Sequence, residues 1–258
     1  MSRRLNHDAR LVEKLTPTWS LGCRRLTPGA GYLESLREDN VTVVFESAVR
    51  LTEGGIIDES GIEHQVDVVI CATGFNTAFT PHFKVFGRKG MEIHDTFADF
   101  PIAYLGITAE HFPNMFLFPG PNGPVSHGSV IPVLEWYTRY AFLMIQKMQS
   151  DNIKAFEPKK EAIKDLYNHT HELMKRMVWS SACRSWFKNG KTHGPVTAIY
   201  PGSRLHFHEM LSNPRWEDYE IAYRTNNRFQ FMGNGYTERE LSPEADAVWY
   251  FEDWFVKV

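Results

Sequence analysis

Two adjacent arginines, Arg24 and Arg25, stand in GCRRLTPGAGYLESLREDNVTVV (22–44), and few side chains of this sequence are better suited to chemistry on negative charge. A guanidinium stays protonated at any working pH and presents several N–H donors in a planar fork, so it can grip a phosphate or stabilise an oxyanion. A fixed cation placed where negative charge develops on oxygen lowers a barrier by about 3 kcal/mol. A second set of candidates, Asn122, Ser126, Gly128 and Ser129, lies in the loop FPGPNGPVSHGS (118–129), just ahead of a helical pattern. The unpaired N–H groups and partial positive charge of a helix start favour an anionic ligand there. Thr73 and Gly74 close the apolar run VDVVICA (66–72), where glycine tolerates a positive φ and a close approach by a ligand or another chain. Trp186, in VWSSACRSWFKNG (178–190), offers a flat apolar face. Each pattern also has a structural reading: exposed loop arginines, an ordinary capped helix behind a turn, and a tryptophan packed in the core.

Other chemistries find less support. His169 and His171, and His206 and His208, form His-x-His pairs, but neither has Cys, Asp or Glu at a zinc spacing, so no metal is expected. His127 is a lone loop histidine. No Gly-x-Ser-x-Gly motif points to a serine hydrolase. Cys23, Cys71 and Cys183 are too few and too scattered for a disulfide framework, which suits a reducing, cytoplasmic setting.

The elements that must position these residues are suggested by pattern. VTVVF (41–45) is β-branched and VDVVICA is nearly continuous in its apolar character, as expected of strands, the second covered on both faces. Gly54-Gly55 and DESG (58–61) between them are turn signals that predict a small β-meander. NMFLF (114–118) reads as a further short strand. Ile131, Leu134, Tyr137, Ala141, Met144, Ile145 and Met148 then recur at helical spacing, with Ser129 as N-cap and Pro132 in the first turn, where its missing N–H costs no bond. Pro158 is expected to open a second helix with Ile163, Leu166, Tyr167, Leu173, Met174 and Met177 on one face, and PKKEAIKD at its start reads as solvated. After Trp179 the chain becomes aromatic-rich and loses clear periodicity.

Composition sets the outer bounds. The 258 residues are 43% hydrophobic, enough for a sizeable core. Lys and Arg number 28 against 31 Asp and Glu, a net charge of -3, which gives no general case for nucleic acid or an anionic membrane as partner. No apolar run approaches the roughly 18 residues of a membrane span, so a small molecule is the expected partner.

The segment DVVICATGF (67–75) resembles the ATG(F/Y) segment of two-dinucleotide flavoprotein monooxygenases, where it ends the pyridine-nucleotide domain and leads back into the flavin domain. Residues 22–44 resemble the region ahead of it in Baeyer-Villiger monooxygenases, with a basic pair after a glycine, a tyrosine (Tyr32) and an Asp39-Asn40-Val41 strand entry. The loop 118–129, the run 178–190, YPGSRLHFHEML (200–211) and PRWEDYEI (214–221) extend the likeness, closer to fungal polyketide and mycotoxin-pathway enzymes than to bacterial ketone-oxidising ones.

The resemblance implies an α/β architecture, a partial two-dinucleotide-binding flavoprotein fold. Residues 1–75 would be a remnant of the NADP-binding domain, and 76–258 the C-terminal part of the FAD-binding domain with a helical, aromatic-rich tail. It implies FAD and NADPH as cofactors and oxidation of a ketone, such as a polyketide, to an ester or lactone. Arg24 would contact the 2′-phosphate of NADPH, a position where the family usually has lysine, and Arg25 would be catalytic, countering charge that develops during oxygen transfer. Thr73, Gly74, Asn122, Ser126, Gly128 and Ser129 would border the cofactors, and Trp186 the nicotinamide and substrate.

The sequence lacks the Gly-x-Gly-x-x-Gly fingerprint of a flavin domain; Gly29 and Gly31 are followed by Tyr-Leu-Glu, and Gly233 and Gly235 have no strand-to-helix context. Micromolar affinity needs about 8 kcal/mol, and one helix terminus supplies at most about 2 kcal/mol. The expectation is therefore a C-terminal half that works with an N-terminal half supplied elsewhere, or that self-associates. The alternatives are a non-catalytic binding or interaction protein and a cofactor-free cyclase or isomerase.

Overall fold

The computed structural model describes residues 1–27, 29–124, 128–246 and 248–253. In chain order the elements are α1 (Ala9–Leu15), α2 (Tyr32–Ser35), β1 (Ala48–Leu51), β2 (Gly55–Asp58), β3 (Glu63–Gln65), α3 (Ile93–Phe97), α4 (Ile131–Ser150), β4 (Ile153–Pro158), α5 (Lys160–Met174), α6 (Arg204–Leu211), β5 (Tyr219–Tyr223), α7 (Glu238–Leu241) and α8 (Tyr250–Asp253).

The apolar spacing of residues 131–148 forms the long helix α4, which buries Val133, Tyr137, Tyr140, Ala141 and Met144 along one stripe and carries Pro132 in its first turn. Its N-cap is Val130 rather than Ser129, whose Oγ accepts the Ile131 N–H at 3.4 Å. The helix ends where Lys147 Nζ meets Asp151 at 2.6 Å, and the chain turns into β4. β4 pairs antiparallel with β5, Phe156 opposite Ile221. Pro158 ends β4 instead of opening α5. The ladder runs one residue beyond it through Lys159 N–H to Asp218 O at 2.8 Å, so the helix starts only at Lys160.

Around α4 lies the main core of Tyr104, Ile107, Tyr137, Tyr140, Met144, Phe156, Phe207, Leu211 and Tyr219 with their neighbours. Its hydroxyls pair with one another, as buried polar groups must: Tyr140 with Tyr219 at 2.9 Å, and Tyr219 with Thr108 at 3.1 Å. Tyr104 donates to Asp218. Burial pushes the Tyr219 phenol up to about 12.

The expected meander exists, with its strands elsewhere than predicted. β1, β2 and β3 form an antiparallel sheet in that order. Asp58 closes it by accepting the Ser60 N–H at 2.9 Å, the Ser60 hydroxyl at 2.6 Å and the Ile62 N–H at 3.0 Å, with His64 Nε2 at 2.8 Å. The hydrogen bonds from Ser60 and His64 hold its carboxyl well below the usual carboxylate range. A Cβ on Gly55 would sit 1.9 Å from His64 O, so only glycine lets β2 and β3 approach this closely.

Three predicted strands are corrected. Residues 41–45 and 66–72 belong to no strand, and 66–75 is exposed throughout, Ile70 at 88% and Phe75 at 97%. β propensity reflects packing on a pleated, half-buried surface, and beyond the Val66 N–H bond to Gly54 O at 3.0 Å no described strand pairs with these runs to provide one. Residues 114–118 make one backbone–backbone hydrogen bond to β4, Asn114 N–H to Phe156 O at 3.0 Å, and one to Ile107, Leu117 N–H to Ile107 O at 2.8 Å, while the Asn114 side chain takes the other β4 contacts; changing neighbours prevents a ladder. The cysteines also depart from expectation, because Cys23 and Cys183 form a disulfide, with Cα atoms 6.5 Å apart and both residues buried. Among the described residues, no helix is long and apolar enough to cross a membrane.

Candidate functional site

The disulfide sets the geometry of the candidate site. It fixes Cys23 against Cys183, so the residue after each is drawn to the same place: Arg24 Nε donates to the backbone carbonyl of Arg184 at 2.6 Å. The Arg24 guanidinium also lies over the Trp19 ring, 5.1 Å from its centroid, a cation–π contact that orients it.

The 181–192 loop is braced from within. Ser185 accepts the Phe187 N–H at 3.2 Å and caps the short turn Trp186–Lys188. Lys188 is 1% exposed, and its ammonium donates to Ser181 O at 2.6 Å and Thr192 O at 2.9 Å. Burial lowers its pKa, while the two carbonyls satisfy the charge. Asn189 takes a left-handed conformation and donates to Ala98 O at 2.9 Å.

These constraints leave an open groove of about 610 Å³ lined by Arg24, Arg25, Thr77, Arg184, Ser185, Trp186, Asn189 and Gly190. A second hollow of about 410 Å³ shares both members of the arginine pair and adds Gly128 and Trp179. Trp186 combines its two readings: it is half-buried against Phe187, ring centroids 4.8 Å apart, and also forms groove wall. Three guanidinium groups line the groove, and no carboxylate does.

The structure therefore gathers Arg24, Arg25 and Trp186 at one groove and Gly128 at its neighbour. It does not bring the other candidates there. Thr73 and Gly74 are exposed and lie just before Thr77; Gly74 has φ +96° and open space where a Cβ would stand, as its sequence position suggested. Asn122 turns inward: its N–H donates to Thr197 O at 2.8 Å and its side-chain amide to Val196 O at 3.3 Å, tying the loop to residues 196–197. Ser129 is exposed beside Gly128. Ser126 and His127 lie outside the described residues. His206 pairs with Tyr200 OH at 2.6 Å, His171 stacks on Tyr167, and the described residues contain no cluster of three metal-capable side chains.

Sequence reasoning missed Arg184, Lys188 and Asn189. The repeated Cys-Arg dipeptide, 23–24 and 183–184, was a signal that could have revealed the first.

No family model matches the chain. It is 39% identical over 256 residues to the FAD-binding monooxygenase stcW of Emericella nidulans, covering 94% of this chain and 42% of that protein. It is also 39% identical over 253 residues to the FAD-binding monooxygenase tazF of Aspergillus terreus, covering 97% and 45%. Its fold matches cyclohexanone monooxygenase from Rhodococcus sp. Phi1 bound to NADP+ with a TM-score of 0.73 and 26% identity, over 86% of this chain and 43% of that one. The chain thus spans less than half the length of the relatives it matches. Over the part it spans, the chain is homologous to fungal FAD-binding monooxygenases, and its fold matches the C-terminal part of Baeyer-Villiger monooxygenases.

Proposed function

We propose that this chain contributes the C-terminal portion of an FAD- and NADPH-dependent monooxygenase that converts a ketone into an ester or lactone, on a polyketide-type metabolite of fungal secondary metabolism. The observation that carries the reading is the meeting of Arg24 and Arg25 with Trp186, from opposite ends of a 160-residue separation, at a groove without a carboxylate. In the overall balance, one oxygen atom of O₂ enters the ester and the other leaves as water, at the expense of one NADPH.

The groove fits the anionic parts of such cofactors. Arg24, anchored through Nε, keeps its terminal nitrogens for a nucleotide 2′-phosphate. Arg25 has no hydrogen-bond or ion-pair partner among the described residues, so its donors are available to oxygen as negative charge develops there. Trp186 offers its open face to a flat ring and screens the groove from water on that side. Gly128 and Ser129 at the exposed start of α4 would face the flavin, as would Thr73 and Gly74 from the 66–75 segment; Asn122 would act by holding the loop in place. When bound, the two cofactors supply the hydride and the activation of O₂.

In this reading, residues 1–75 belong with the nucleotide-binding half and 76–258 with the flavin-binding half. The exposed Val68, Ile70 and Phe75 form a surface for the N-terminal half, or for a second copy when that half is missing.

The test is complementation. Coexpressed with the N-terminal half of a fungal relative, the chain should yield a yellow complex that forms ester from a ketone panel at the expense of NADPH. Arg25→Ala should abolish the ester and leave bound flavin unchanged. A flavin-loaded complex that oxidises NADPH yet makes no ester from any ketone, or an Arg25→Ala complex that makes it normally, defeats the reading.

A further inference from the structure

We propose that Arg184 is a third anion-binding residue of the groove, which holds a nucleoside 2′-phosphate together with Arg24. The inference rests on the nucleotide reading above and adds to it a residue from the other end of the chain.

Arg24 and Arg184 are arranged alike. Each follows a cysteine of the disulfide, and each guanidinium is anchored by Nε to a carbonyl of the 184–190 loop: Arg24 to Arg184 O at 2.6 Å, and Arg184 to Gly190 O at 3.2 Å. The terminal nitrogens of both have no hydrogen-bond or ion-pair partner among the described residues, the Arg24 fork lying over the Trp19 ring. Anchoring through Nε fixes the plane of the fork and leaves its outer edge free, which is the edge that grips two phosphate oxygens at once.

Three arginines elsewhere in the chain are each matched by a carboxylate. Arg4 pairs with Glu34, Arg88 with Glu157 and Arg215 with Asp218. At the groove, three arginines are gathered with no carboxylate among the lining residues, in a chain whose net charge is -3. Like charges held together without counter-charge repel, and the repulsion is relieved when an anion binds.

Charge counting assigns the third cation its purpose. A phosphate monoester carries about -1.5 to -2 at neutral pH. With Arg25 committed to oxygen chemistry, Arg24 alone leaves roughly one charge of that dianion unmatched, and Arg184 supplies it.

The probes are adenosine 2′,5′-bisphosphate and adenosine 5′-monophosphate, titrated calorimetrically at low salt into the 258-residue chain. The parent should prefer the bisphosphate, and Arg184→Gln should weaken it about five-fold, as Arg24→Gln does, with Arg184→Lys between. Binding of the monophosphate and the unfolding temperature of Arg184→Gln should stay at parent values. The inference is overturned if Arg184→Gln binds the bisphosphate like the parent while Arg24→Gln does not, or if the parent shows no preference between the two nucleotides. Phosphate preference that depends on Arg184, in a complemented enzyme that makes no ester, would sink the reaction and keep the nucleotide site. The reverse result would sink only Arg184.

Discussion

Residues 1–91 and 93–223 solve opposite problems. The first stretch contains the most strand-prone run of the sequence, VDVVICA, and its buried apolar side chains among the described residues are Leu5, Leu11 and Cys23. The second contains the rest of the described apolar interior, its largest cluster organised on α4, β4, α6 and β5 and two smaller ones around Phe187 and Phe112. The difference teaches that an apolar pattern becomes structure only where the chain also supplies the opposing face. Tyr137 and Met144 meet Phe207, Phe156 and their neighbours from later segments of the same chain, whereas Ile70 and Phe75 meet none that is described. The candidate site spans this divide, with the arginine pair from one stretch and Trp186 and Arg184 from the other.

The comparison can be broken most forcefully in the core. Phe207→Ala should cost about 3–5 kcal/mol in urea unfolding, since it empties a fully buried ring site. A loss below about 1 kcal/mol would mean that the 93–223 interior is not the seat of stability. Next comes the link between the stretches. Cys23→Ser with Cys183→Ser should lower stability by about 2–4 kcal/mol. It should also reduce the preference for the bisphosphate, because the two arginines lose their common anchor.

A smaller, pH-dependent effect tests the one well-knit part of the first stretch. The Asp58 carboxyl is held below its ordinary range in the folded state, so its stabilisation is complete above the unfolded-state pKa of about 4. It is lost progressively as pH falls through the folded value. Asp58→Asn should therefore lower the unfolding temperature at pH 7 and flatten its decline in acid; an unchanged acid limb would dismiss the clamp. The smallest change belongs to the exposed run. Ile70→Ser should alter stability by less than about 0.5 kcal/mol, and gel filtration should show less self-association of the isolated chain.

Legibility in the sequence cut across this divide. Helix α4 was readable because a 3.6-residue period is carried by its own residues. The turns at 54–55 and 58–61 were readable because glycine and Asp58 act locally. Strand placement failed at 41–45 and 66–72, since β-branched residues announce a demand for neighbours without showing whether it is met. Within the site, Arg24, Arg25 and Trp186 were reached through family resemblance. Lys188 was not, because a single charged residue in an irregular loop has no period; Arg184 was legible only through the repeated Cys-Arg dipeptide, since the pairing of cysteines 160 residues apart is not written locally.

That bridge also changes the connectivity of the molecule. Residues 23–183 form a closed ring, on which the three-stranded sheet, α4, β4 and α5 all lie, while α6 and β5 sit on a tail outside it. The tail is secured to the ring by side-chain packing, by the β4–β5 ladder and by loop hydrogen bonds such as Asn122 N–H to Thr197 O and Asn189 to Ala98 O. A protease that cuts once in the exposed 66–75 segment would open the ring without releasing a fragment, and the nicked protein would run as one species until a thiol separated its two pieces.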